Sequence, residues 1–425
     1  MSAGNGLSER LQTPISTAEL ERRWKAVRAA MEREKVDVLL MQNNNDYMGG
    51  YVKYFTDMPA TNGYPNTVIF PRDDEMTVVA QGPFGGSEVT AHGNGVWRGV
   101  KRILTTPSYA SAHYTKDYDP ELACKALEPY AKGTIGLVGT YQMSFALVDY
   151  VKRKFPSARY VDASELVDRI KVIKSPEEME LVRRAALMQD GAMQAAFAAL
   201  KPGMRDTEVA AIAQHYSQTH GSENGIYLCA SMPADASAPI GLKPAKFGQR
   251  HMQNRVIQKG DAVALLVEDS GPGGMYTELG RTCVVGIKVP QAMRDELELV
   301  KEARKVTLDM LKPGTPCKDI WETYNAFLRK HGRPEERRLP HLLRHHRPPP
   351  GRHGAHRPRP ARAVTARPQP VTTPYQPRSR SIRSRPAVVR WLRRIPAPAG
   401  NGGPTHWGAS FRAGRTATSD AEPVS

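Results

Sequence analysis

The chain has 425 residues, with 60 Lys and Arg against 43 Asp and Glu, a formal net charge of +17 and a pI near 9.7. The excess sits at one end: Arg337–Ser425 holds 18 Arg, no Lys and only Asp420 and Glu422 as acids, leaving 42 basic and 41 acidic residues in 1–336. The folding part is close to neutral, so its charge gives no reason to read it as a nucleic-acid-binding body, and no run of 18 apolar residues marks a membrane span.

The first residues, to about position 15, are polar and expected to be flexible, with no apolar leader segment; a soluble, cytoplasmic protein is the expectation. From Ser16 the chain reads as α/β. Ser16 and Glu19 form a capping box, and Leu20, Trp24, Val27 and Met31 follow at helical spacing, predicting a helix to about Lys35. Val36–Met41 reads as a strand. The runs Asn66–Phe70 and Met76–Ala80 flank a polar turn and predict a hairpin. A strand at Thr134–Val138, a helix at Met143–Phe155 and a short strand at Arg159–Asp162 complete a domain placed at 16–165.

A second unit is placed at 166–336. Ser175 at the cap, Pro176 at the first helical position and Glu178 at the third mark a helix start. That helix runs through Leu181, Ala185, Met188 and Met193 to a stop at Lys201-Pro-Gly203, and Asp206 is expected to cap the next helix, to about His220. Ala262–Val267 and Tyr276–Val285 read as strands around the turn Ser270-Gly-Pro-Gly-Gly274. A further helix is expected from Asp295 to Leu311. The cysteines Cys124, Cys229, Cys283 and Cys317 are far apart, have no metal-finger spacing and read as reduced thiols.

One 22-residue stretch occurs twice. Leu200–Gly221 and Leu311–Gly332 both open Leu-Lys-Pro-Gly and close His-Gly, and each follows an amphipathic helix containing Glu-Leu-Val, at Glu180 and at Glu298. Such repetition points to a domain of two related halves. A β-rich segment follows the first copy. The second is followed from about Arg337 by Arg, Pro and His with no fold pattern, so the second half begins and is not finished. That stretch reads either as an out-of-frame translation of GC-rich coding sequence or as a genuine basic tail; on both readings it is expected to be disordered.

The segment from Ile173 to Ala185, the paired Leu-Lys-Pro-Gly turns, Lys259-Gly-Asp261 and the run from Tyr276 to Thr282 together resemble the creatinase, prolidase and aminopeptidase P group. Its fold is the pita-bread fold, shared with methionine aminopeptidase, and the resemblance covers about 16–336. It implies a creatinase-type α/β N-terminal domain and an α+β pita-bread catalytic unit, the latter incomplete here.

In the group's metallopeptidases the first half gives two aspartates and the second half a histidine and two glutamates to a two-metal site. By that resemblance Glu278 stands at the second aspartate position and Glu268 or Asp269 at the first, one or two residues closer to its partner than the family pattern. Glu268 and Glu278 share parity, so a turn centred on Gly273 sets them opposite each other on one sheet face, a geometry that suits a shared Mn, Co or Zn ion. His251 lies about two residues later than the group's catalytic histidine. His341, His345, His346, His353 and His356 stand among Arg and Pro with no carboxylate between Glu336 and Asp420, so no second-half ligand is assigned. Creatinase itself works without metal, through histidine and carboxylates. The resemblance implies hydrolysis of a peptide bond to proline or a related C–N bond in a small substrate, and a homodimer. The expectation for this chain is an inactive hydrolase. The competing reading is a non-catalytic scaffold whose 18 tail arginines bind nucleic acid.

Overall fold

In a computed structural model, residues 13–43, 50–58, 64–89, 96–107, 113–234, 254–333 and 335 are described. His251 and the arginine-rich segment from 337 lie outside them. The N-terminal part is built on helix α1 (Thr17–Glu34), capped by Ser16, whose Oγ accepts from Glu19 N at 3.1 Å. It continues through β1 (Val38–Asn43), α2 (Tyr51–Thr56), β2 (Asn66–Pro71), β3 (Met76–Gln81), β4 (Gly86–Val89) and β5 (Val100–Thr106). Then come α3 (Tyr118–Leu127), β6 (Thr134–Val138), α4 (Phe145–Lys154), β7 (Arg159–Asp162) and α5 (Ser164–Lys171).

These strands form one mixed sheet in the order β4-β5-β3-β2-β1-β6-β7. β2 and β3 pair antiparallel, as the hairpin reading requires, and β1, β6 and β7 run parallel. The central strand β1 is buried at all six positions because both of its faces are covered. Leu39 and Met41 pack with Leu20, Val27 and Phe55, from α1 and α2. Val38 and Leu40 pack with Leu127, Leu147 and Val151, from α3 and α4. The sequence places this strand two residues too early, at Val36, which is also apolar and buried. Leu166 and Val167 of α5 join the α1 side of this core, so its packing runs past position 165.

The second part opens with α6 (Pro176–Ala199). Its full capping box pairs Ser175 Oγ with Glu178 N at 3.1 Å and Ser175 N with Glu178 Oε2 at 2.8 Å. Gly203 then turns the chain at φ +92°, a conformation that favours glycine. In α7 (Asp206–Thr219) the residue at the cap is Arg205, not Asp206 as expected. Asp206 is instead fully buried and accepts weakly from Arg255 N at 3.4 Å. Strands β8 (Asn224–Pro233), β9 (Asp261–Ser270) and β10 (Tyr276–Val284) form an antiparallel sheet with β9 in the middle.

Period-two alternation decides what each face of this sheet carries. Tyr227, Cys229, Val263, Leu265, Val267 and Cys283 point to α6 and α7 and form a core with Ala192, Ala196, Val209 and Ala213. The neighbouring positions of β9, Ala264, Leu266 and Glu268, are half-buried on the other face. Beyond the sheet, α8 (Gln291–Asp309) and α9 (Cys317–Lys330) pack on each other. None of the four cysteines forms a disulfide, and Cys124, Cys229 and Cys283 are buried. Among the described residues no helix is long and apolar enough to cross a membrane.

Candidate active-site face

The β9–β10 ladder pairs Glu268 directly with Glu278, and Glu268 also faces Ile226 of β8. The two glutamates lie on the sheet face turned away from α6 and α7. Tyr276, two residues before Glu278, shares that face. Its hydroxyl lies 3.5 Å from Glu268 Oε2 and 3.4 Å from Glu278 Oε2, so one phenol reaches both carboxyl groups at the long limit of hydrogen bonding. The sequence reading misses Tyr276, although its parity relative to Glu278 carries the signal.

Asp269, the alternative to Glu268, goes to the opposite face. It is fully buried, accepts from Ser222 Oγ at 3.0 Å and from the Tyr227 hydroxyl, and leaves Oδ1 without a partner. Burial raises its carboxyl above the usual aspartate value, and burial likewise raises the Tyr227 phenol. A ligand on that side of the sheet cannot converge with Glu268 and Glu278, because adjacent residues of a strand project to opposite faces. Asp269 is thus a buried acid on the helix-facing side of the sheet, apart from the Glu268–Glu278 pair.

A two-cation centre needs several converging carboxylates and imidazoles to offset its charge. Among the described residues no group of three or more His, Cys, Asp or Glu side chains converges to hold a metal ion. Glu268 and Glu278 are a pair with a phenol between them, and the described residues do not by themselves fit a two-metal site.

The fold is that of the pita-bread hydrolases. The model of metallopeptidase family M24 matches residues 180–354. The Xaa-Pro dipeptidase of Pyrococcus furiosus is 26% identical over 204 residues, 47% of this chain and 54% of that enzyme, so the chain spans about half of that relative's length. The creatinase of a Bacillus species is 21% identical over 345 residues, 76% of this chain and 74% of that protein. Among solved structures, the X-Pro aminopeptidase of Thermotoga maritima superposes with a TM-score of 0.55 at 15% identity, over 73% of this chain and 78% of that one. Over these residues the chain is similar to the creatinase, prolidase and aminopeptidase P group of that family.

Proposed function

We propose that the folded part of this chain is the framework of an Xaa-Pro peptidase-like or creatinase-like hydrolase, directed at a peptide bond to proline or another C–N bond of a small substrate, and that this chain itself does not turn over. The observation that carries the reading is the opposition of Glu268 and Glu278, with Tyr276 between them, on the sheet face away from the helices. Two carboxyl groups and a phenol can accept and orient a polar substrate and relay a proton. The relatives' names support the substrate class: a dipeptidase for Xaa-Pro and a creatinase. Support for inactivity comes from the sequence after α9, where no carboxylate stands between Glu336 and Asp420 to complete a second half. The test is to incubate the purified full chain with Xaa-Pro dipeptides and with creatine, with and without Mn2+ or Co2+. The expected result is no turnover above that of Glu278→Ala. Turnover clearly above that control sinks the inactivity reading.

A further inference from the structure

The turn joining β9 to β10 is gripped from two sides. On one side is α6: a side chain at Gly273 would come within 2.7 Å of Leu181 Cδ1, and one at Gly271 within 2.8 Å of Ala185 Cβ. On the other side is Lys53 of α2, which belongs to the N-terminal sheet's core. A side chain at Gly274 would meet Lys53 Cγ and Cε at 2.8 Å and Glu223 Oε2 at 3.1 Å. Gly274 has φ +71°, so both its backbone and its neighbours exclude a substituent.

Lys53 is only 4% exposed, which is unusual for a residue ending in an ammonium group. Its Nζ donates to Asp57 O at 2.8 Å, to Asp57 Oδ1 at 2.6 Å and to Glu223 Oε1 at 2.6 Å. Three protons meet three acceptors, the condition under which a buried ammonium is tolerated. Asp57 is fixed in turn: Oδ2 accepts from Ile15 N at 2.9 Å and from Arg98 Nη2 at 2.6 Å, and the residue is held at φ +61°. Glu223 passes the constraint on. Its backbone N donates to Ser270 O at 2.8 Å, at the end of β9 and two residues from Glu268.

We propose that Lys53 is a positioning residue of the candidate site: from the N-terminal domain it pins the β9–β10 turn through Glu223 and thereby sets the opposition of Glu268 and Glu278. The pin joins residues 170 positions apart, so the site's geometry depends on the N-terminal domain as well as on the strands that carry it. It rests on the placement of the two glutamates and not on turnover, so it and the functional proposal fail separately.

Amide hydrogen exchange on the full chain tests the pin. In Lys53→Met, amides of 261–284 should exchange about tenfold faster or more, while the amides of α3 and α4, on the other face of the N-terminal sheet, keep their rates. Glu223→Met should give the same pattern. Glu223→Gln, which keeps an oxygen acceptor for the ammonium, should stay protected. Unchanged exchange of 261–284 in Lys53→Met overturns the proposal, and so does equal acceleration of α3 and α4, which would make Lys53 an ordinary contributor to stability. Should Lys53→Met fail to fold, the Glu223 pair decides: like exchange in Met and Gln variants overturns the pin.

Discussion

Leu200–Gly221 and Leu311–Gly332 share their opening four residues and turn the chain in the same way, Gly203 at φ +92° and Gly314 at φ +89°. Their surroundings differ. α6 and α7 lie on the sheet of β8, β9 and β10 and bury Leu181, Ala185, Met188, Ala192, Met193, Val209 and Ala213 against it or beside it. α8 and α9 pack on each other, with Ala303, Ile320 and Asn325 as their buried residues. Val300, at 59%, and Leu308, at 42%, stay exposed on an amphipathic helix. An apolar stripe at helical spacing forms a helix in both places, but it forms a core only where a sheet meets it.

The largest expected effect probes that difference in packing. Leu265→Ala, on the helix-facing side of β9, should cost about 2–5 kcal/mol of stability by urea denaturation, the usual penalty for a cavity in a packed core. Val300→Ala on α8 should stay within about 0.5 kcal/mol. Similar losses at both sites would mean that the second helix pair is covered after all, and the contrast would break.

A second measurement uses pH, since the sheet-backed half holds the half-buried acid Glu223. Burial raises the Glu223 carboxyl from 4.5 to about 7, and the Lys53 charge offsets only part of that rise. Between those pH values the folded chain keeps a proton that the unfolded chain releases, so this group makes stability fall as pH rises from 4.5 to about 7 and level off above it. Glu223→Gln should therefore gain about 3 kcal/mol relative to the parent as pH rises across that window. Parallel stability–pH curves for the two proteins would remove Glu223 as a titrating group.

The smallest effect sharpens the comparison at the helix starts. α6 begins with a reciprocal capping box, whereas α8 and α9 begin after Pro290 and Pro316 with no side-chain cap. Ser175→Ala should cost about 1 kcal/mol. A loss below about 0.3 kcal/mol would show that tertiary packing alone sets that terminus.

Much of this was legible in local sequence. Ser175, Pro176 and Glu178 announce α6 because the signal lies within one turn of chain, and residue parity alone is enough to set Glu268 against Glu278. Parity also separates Asp269 from Glu278. The shift of the cap from Asp206 to Arg205 was not legible, because Asp206 is drawn inward beside Arg255, 49 residues away. Lys53 was not legible for the same reason. Nothing local in Tyr51-Val-Lys-Tyr-Phe-Thr56 marks its lysine for burial, and its partner Glu223 lies in a distant part of the chain. His251 remains an expectation from sequence alone.

The tightness of the Gly271–Gly274 turn reaches into how this sequence can vary over generations. Leu181 and Ala185 on one side and Lys53 on the other leave no slack for an extra residue. A single inserted codon would have to slide β10 along β9 by one position, which turns Glu278 inward among the helices and brings Thr277 out in its place. Two inserted codons would restore the original facing. Length variants of this turn that keep the glutamate pair should therefore come in steps of two, so that the genetic history of the hairpin is counted in even numbers.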